Sequence, residues 1–265
     1  MCLILQACNN IFEVDNIPEA VFKLFRGFFK ENFSMVWGII VGIIIVIVVA
    51  IALISVLPMC FMYPLPSGKI EGTCITAIKN RINNMFFIPI GDEWIVIDAG
   101  SEANAIEQEM QQLSIDEHKV KHIFLTHTDY DHVASIPLFP NATIYMNKQE
   151  EQMIDGSTVR QLFKKNKLPL VGSSNKIVWM ADNQVIDCNE HKVRMISAPG
   201  HTKGSAMYAV DEKYLFSGDV FKVVNEDILI HPYTMDKVQA KETIQRIRSD
   251  LGKYEKVLTS HYGSL

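Results

Sequence analysis

The stretch FLTHTDYDHV, Phe124 to Val133, sets the tightest limit on what this chain can become. It crowds His127, Asp129, Asp131 and His132 into six residues at the end of VKHIFLTH, an apolar run that reads as a buried strand. Packed carboxylates repel one another, and burying a charge is expensive unless it is paired or coordinates a metal. A cation is the simplest partner.

Later strand ends carry further candidates. APGHTKGS presents His201, LFSGDVF presents Asp219 and VLTSHYG presents His261, each just after an apolar strand that can aim it at a common rim. The candidate ligands are thus four His and three Asp. Two metals can share them, with three terminal ligands each and one bridging carboxylate.

In order, spacing and strand-end setting, these residues resemble the metallo-β-lactamase fold superfamily, whose signature runs His-x-His-x-Asp-His, then a His, a bridging Asp and a final His. The likeness covers about residues 69–265. The family's Asp-x-Gly turn after an early strand is matched by Asp98 and Gly100, and the resemblance implies that Asp98 stands behind the ligands. It also implies an α/β fold, a four-layer αββα sandwich with the site at one edge between the sheets. One position departs from the pattern: Asp129 stands where the second His is expected. By the resemblance, His127, Asp129 and His201 hold the first metal, Asp131, His132 and His261 the second, and Asp219 bridges.

Exchanging imidazole for carboxylate makes the first position harder and more anionic, which lowers the Lewis acidity of zinc and favours iron or manganese. The flavodiiron branch is similar in having a Glu there. Zinc is the expected pair of ions, with iron or manganese as the alternative. Loss of the first position, leaving a mononuclear or degenerate centre, stays open.

A dinuclear centre lowers the pKa of a bridging water, so hydroxide exists near neutral pH, and it stabilises charge developing on a carbonyl or phosphorus. Hydrolysis of a small ester, lactone, thioester or phosphoester is therefore the leading expectation. Asp131 is the expected catalytic residue, orienting that hydroxide and carrying its proton. Tyr130, beside the ligands, and His231 in ILIHPYT are candidates for the substrate pocket. The alternatives are a diiron redox protein and a non-catalytic metal-binding module. Hydroxyacylglutathione hydrolases carry a helical domain after the final His and flavodiiron proteins a flavodoxin-like segment; the sequence shows neither, so both activities are less expected here. Residues 69–265 carry 22 Lys plus Arg against 26 Asp plus Glu. That balance does not suit a nucleic-acid surface, so a small molecule is the expected partner.

Ahead of this region the chain reads in three pieces. Residues 1–34 form an N-terminal segment in which PEAVFKLFRGFFKENF, Pro18 to Phe33, is an amphipathic helix with Val21, Leu24, Phe25, Phe28 and Phe29 on one face. Residues 35–57 are almost wholly apolar and long enough to span a bilayer once. Residues 58–68 are a linker. Lys23, Arg26 and Lys30 precede the span closely and only Lys69 follows it closely, which places the N-terminus in the cytoplasm and the domain outside. Cys74 and Cys188 are two cysteines that a single bridge can join, and the sequence leaves that open, as it does the oligomeric state.

Overall fold

The computed structural model describes residues 19–160, 165–170 and 175–265. Pro18 and the side chains of Phe25 and Phe29 lie outside the described residues, so the expected apolar face of the first helix is described only at Val21, Leu24 and Phe28. The chain divides into two units, Met1–Cys60 and Phe61–Leu265.

In the first unit, α1 (Glu19–Val56) runs unbroken through both the amphipathic stretch and the apolar stretch, and a 3-10 turn follows over Leu57–Phe61. Met35–Phe61 has a mean hydropathy of 3.5 with none of its apolar window buried. Trp37, Ile39, Ile43, Val46 and Ile54 are all more than half exposed. A helix that is apolar on every face and buried on none is not the amphipathic helix of a water-soluble domain.

The second unit owes its layers to period-two alternation in its strands. Its first sheet consists of β1 (Gly68–Lys69), β2 (Thr76–Asn80), β3 (Asn83–Ile90), β4 (Glu93–Ile97), β5 (Val120–Phe124), β6 (Thr143–Asn147) and β7 (Ile177–Met180), adjacent in that order. Pairing is antiparallel from β1 to β4 and parallel from β4 to β7. The remaining strands are β8 (Val185–Cys188), β9 (His191–Ser197), β10 (Ala206–Val210), β11 (Tyr214–Gly218), β12 (Phe221–Val224), β13 (Asp227–Ile230) and β14 (Lys256–Thr259). The second sheet runs β14-β11-β10-β9-β8, parallel only between β11 and β14, and β12 and β13 form a separate hairpin.

Phe86, Ile88 and Ile90 of β3 and Ile95 and Ile97 of β4 meet Tyr208, Val210, Phe216 and Leu258 of the second sheet in one core. The alternate residues, Met85, Phe87 and Val96, face outward and pack against Ile106 and Met110 of α2 (Ala103–Gln112). On the opposite outer face, Met207, Ala209 and Leu215 pack against Ile244 and Ile247 of α5 (Lys237–Arg248), with α3 (Tyr130–Val133) and α4 (Glu151–Asp155) intervening in the chain. The result is the expected αββα order of layers. Asp236 caps α5, its carboxylate accepting from the Val238 and Gln239 amides at 3.0 Å each.

Three readings change. Over its described residues the helical stretch expected at 147–165 is a 3-10 turn, Lys148–Glu150, and then the short α4, which stops at Gly156 in the left-handed region (φ 91); residues 161–164 lie outside the described residues. The β12–β13 hairpin has no counterpart in the sequence reading; Asn225 and Glu226 both have positive φ, the geometry of a tight two-residue turn. The segment placed as a linker to residue 68 is bonded to the domain from Tyr63 onward. Tyr63 N donates to His261 O (2.8 Å), and Leu65 exchanges hydrogen bonds with the Asn84 amide (2.7 and 2.9 Å). Cys74 and Cys188 are both free thiols packed on the inter-sheet core, and burial pushes the Cys188 thiol up to about 12.

Candidate metal centre

The site is built from strand ends. Parallel pairing of β4 with β5 brings the turn after β4 beside the loop after β5, and that of β11 with β14 does the same for Asp219 and His261. The turn after β4 holds Asp98 at φ 60, a conformation Asp tolerates better than most residues. Asp98 accepts hydrogen bonds from Thr126 N (2.8 Å) and Oγ1, and from His132 Nδ1 (2.8 Å). Gly218, at φ 54, lets β11 close on the loop after β5; a Cβ there would sit 2.5 Å from Thr126.

Around this frame the seven predicted ligands converge. Asp219 Oδ2 lies 3.4 Å from His201 Nε2 and 4.0 Å from His127 Nε2, while its Oδ1 lies 3.2 Å from His261 Nε2 and 3.7 Å from His132 Nε2. Asp131 Oδ2 is 3.6 Å from His132 Nε2 and 3.4 Å from His261 Nε2. Asp129 Oδ2 is 3.4 Å from His127 Nε2 and 3.2 Å from His201 Nε2. Atoms bound about 2.1 Å from one tetrahedral cation lie roughly 3.4 Å apart, so these spacings suit ligands sharing an ion.

Satisfaction of the buried atoms points the same way. His127 Nε2, His132 Nε2 and Asp219 Oδ1 are buried without a hydrogen-bond partner, the 3.2 Å approach of His261 to Asp219 being misaligned for one. Buried polar atoms are seldom left so. The other nitrogens are oriented: His132 Nδ1 on Asp98, His261 Nδ1 on Ile82 O at 2.6 Å and His127 Nδ1 on Thr126 Oγ1 at 3.0 Å. Ligating histidines are held by such outer contacts. The residues present therefore fit divalent metal.

Charge is strongly coupled here. Burial opposes ionisation of Asp219, yet His261, His231, His132 and His201 together hold its carboxyl well below the usual range. Asp129 behaves likewise, burial being overcome by His127 and His201. Burial works against a proton on His132, but Asp131, Asp98 and Asp219 raise it well above the ordinary value; His261 is raised by Asp219 and Asp131 against the same penalty. His201 is pulled down to about 4, chiefly by burial, with His127 and Arg160 adding to it against Asp219 and Asp129.

The two pocket candidates separate. His231 is 1% exposed with Nε2 3.6 Å from Asp219 Oδ2, whereas Tyr130 is 71% exposed at the start of α3. Burial, reinforced by His201 and His261, outweighs Asp219 and holds the His231 imidazole well below its ordinary value. Asp131 is about a third exposed, and thus the most solvent-accessible of the seven.

Two residues at this centre escaped the sequence reading. Arg160 places Nε 3.1 Å from Asp129 Oδ2 and donates to His201 O (3.1 Å) and Tyr233 O (2.5 Å). Glu150 is fully buried and accepts from Thr128 N, Thr128 Oγ1 and Thr202 Oγ1 at 2.7–2.8 Å, tying the Asp129 loop to the His201 loop; burial raises its carboxyl despite His127 nearby and those bonds. A surface cleft of about 690 Å³, lined by Lys69, Cys74, His191 and Asp211 among others, shares no residue with this cluster.

Known proteins resemble this chain in sequence and in fold. The curated relatives include a Bacillus subtilis protein named "probable polyketide biosynthesis zinc-dependent hydrolase PksB", 30% identical over 173 residues, 63% of this chain and 66% of that one. A protein of Methanocaldococcus jannaschii named a "probable metallo-hydrolase" is 25% identical over 173 residues, 64% of this chain and 71% of that one. This chain thus matches about two thirds of the length of these relatives. Among solved structures, a subclass B3 metallo-β-lactamase of Bradyrhizobium japonicum superposes with a TM-score of 0.58 at 16% identity, covering 76% of this chain and 79% of that one, and so shares the fold. A superfamily protein from Sulfolobus tokodaii gives 0.54 at 19%, covering 77% and 80%. The family model described as the metallo-β-lactamase superfamily matches residues 78–261. With its layers and that match in agreement, the chain belongs to the metallo-β-lactamase superfamily.

Proposed function

We propose that this protein is a membrane-anchored, metal-dependent hydrolase with a dinuclear centre, acting on a small ester, lactone, thioester or phosphoester. The observation that carries the proposal is the division of Asp219, whose Oδ2 faces His127 and His201 while its Oδ1 faces His132 and His261. His127, His201 and Asp129 would hold one ion, and Asp131, His132 and His261 the other. A bound pair supplies a nucleophile at neutral pH and Lewis-acid polarisation of the scissile group. Asp131, partly open to solvent, orients the attacking oxygen and passes its proton outward.

Arg160 bears on which metal. The negative charge that Asp129 adds to the first position is met by the guanidinium 3.1 Å away, so the net charge there resembles that of an all-histidine set. This supports zinc over iron or manganese, in keeping with the relative named a zinc-dependent hydrolase. The same contact supports a second reading. Arg160 Nη2 lies 3.2 Å from His201 Nε2 and competes with a metal for that nitrogen, which would leave one ion on the Asp131, His132, His261 and Asp219 cluster.

The helix Met35–Phe61 supports a single-pass anchor, with residues 35–57 in the bilayer and Lys23, Arg26 and Lys30 on the cytoplasmic side. Elemental analysis of the full-length, detergent-solubilised protein, with turnover of p-nitrophenyl esters and bis-p-nitrophenyl phosphate, tests the whole reading. Two zinc per chain with turnover is expected. One zinc favours the Arg160-blocked form, and iron without hydrolysis overturns the hydrolase.

A further inference from the structure

Five buried imidazoles surround this centre, and His231 is wired the opposite way from three of them. For His127, His132 and His261, the nitrogen turned away from the centre faces an oxygen: Thr126 Oγ1 at 3.0 Å, Asp98 Oδ2 at 2.8 Å and Ile82 O at 2.6 Å. The carboxylate and the carbonyl can only accept. Thr126 spends its own hydroxyl proton on Asp98, so its oxygen accepts as well. In its neutral form each of these rings therefore carries its proton on Nδ1 and leaves a bare Nε2 lone pair for a metal. His201 stands apart, with Nδ1 buried and unpartnered and Nε2 facing Arg160 and Asp129.

At His231 the partner of Nδ1 is the backbone N–H of Tyr233, at 3.4 Å. An amide N–H can only donate, so Nδ1 must accept and the single proton of the neutral ring sits on Nε2. That Nε2 is buried and has no hydrogen-bond partner. It points toward Asp219 Oδ2 at 3.6 Å, too far for a hydrogen bond. The ring is clamped between His201 (centroids 4.8 Å apart) and Tyr262 (5.6 Å). His231, Asp219 and His261 lie close enough to share an ion, yet an N–H aimed at a cation repels it.

We propose that His231 is a catalytic residue and not a metal ligand. Its Nε2–H is a fixed donor for the substrate oxygen on which negative charge develops during hydrolysis. A prealigned donor in a water-poor site acts most strongly on that charge. The substrate contact rests on the hydrolase reading given above; the tautomer does not.

The test uses the full-length, detergent-solubilised, zinc-loaded protein labelled with 15N-histidine, with His231→Asn to assign the signals. Long-range 1H–15N spectra are expected to show His231 with a protonated Nε2 and a bare Nδ1, and His127, His132 and His261 with the reverse. A ligand-type pattern at His231 overturns the proposal, as does loss of zinc from His231→Ala or His231→Asn. On whichever probe the wild type hydrolyses, a p-nitrophenyl ester or bis-p-nitrophenyl phosphate, His231→Ala is expected to lower kcat about 10²-fold at nearly constant KM. The Asn variant, which keeps an N–H, recovers part of the loss, and an unchanged kcat in His231→Ala sinks the catalytic role. A wild type that turns over neither probe counts against the hydrolase and the catalytic role alike, while the spectra still decide between donor and ligand.

Discussion

Arg160 and Asp129 form an ion pair at 3.1 Å in which both side chains are mostly buried, and it occupies the flank where the family signature has a second histidine. Removing one member of a buried pair strands the other. Arg160→Gln is therefore expected to cost the chelated protein about 3 kcal/mol, with less lost when zinc is bound and compensates Asp129. Urea denaturation with and without zinc measures the difference. Equal losses in both states would show that Arg160 is not an electrostatic partner of the metal position.

Asp219 offers one oxygen to each cluster, and only a carboxylate can bridge in that way. The Asp219→Asn variant is expected to retain at most one zinc per chain and to lose more than about 10²-fold in kcat. Mass-spectrometric metal counting on the folded protein checks it. Retention of two ions would remove Asp219 from the bridge.

Asp98 lends itself to a conservative test, because Asn also tolerates a φ of 60. Asp98→Asn keeps the backbone but weakens acceptance from His132 Nδ1–H and from Thr126. Zinc affinity should fall about 10–100-fold, as when an oriented ligand loses its outer support. Competition with a chromophoric chelator reads this directly, and an unchanged affinity would mean that Asp98 serves folding alone.

Acid and base act oppositely on the metal-free and metal-bound protein. His132 and His261 are raised above 6.5 by their carboxylates, so their contribution to stability is full below that value and is lost as pH rises through the raised values. Asp129 and Asp219 are depressed below 3.8, so theirs is present above that value and is lost on stronger acidification. His201, pulled down to about 4, and His231 act the other way, taking up protons only in the unfolded chain as pH falls below 6.5, so the chelated protein should be most stable near pH 6.5 and lose stability on either side. Zinc needs bare histidines, so its added stabilisation grows with pH. Thermal melts across pH, with and without chelator, should show the two trends diverging; parallel curves would count against this account.

Deleting residues 35–57 is expected to move the protein from the membrane fraction, after alkaline carbonate washing, to the soluble fraction. Protease added to intact right-side-out cells or vesicles should reach the metal-binding domain in the full-length protein. Protection until lysis would reverse the orientation drawn from Lys23, Arg26 and Lys30.

The layers and the convergence of the candidate ligand residues were legible in the sequence for a shared physical reason. Buried strands impose period-two apolar runs such as Phe86, Ile88 and Ile90, and polar groups that cannot lie within such runs stand out at their ends, as His127 and Asp219 do. Arg160 and Glu150 were not legible. Each lies in a stretch rich in polar and charged residues, and only the fold decides that Glu150 is buried between Thr128 and Thr202 and that Arg160 turns inward. The docking of Tyr63 and Leu65 was hidden likewise, since their partners, His261 and Asn84, are remote in the chain. The role of His231 turns on a backbone N–H, which no side-chain pattern records.

Asp98 also reaches Ser260, 162 residues further along, besides Thr126 and His132. Its partners come together only when β4, β5 and β14 are aligned, and closing so long a loop belongs to the slow end of folding. The groups that orient this centre therefore meet only in the finished sandwich, so a mutation in any one of the three strands can loosen it.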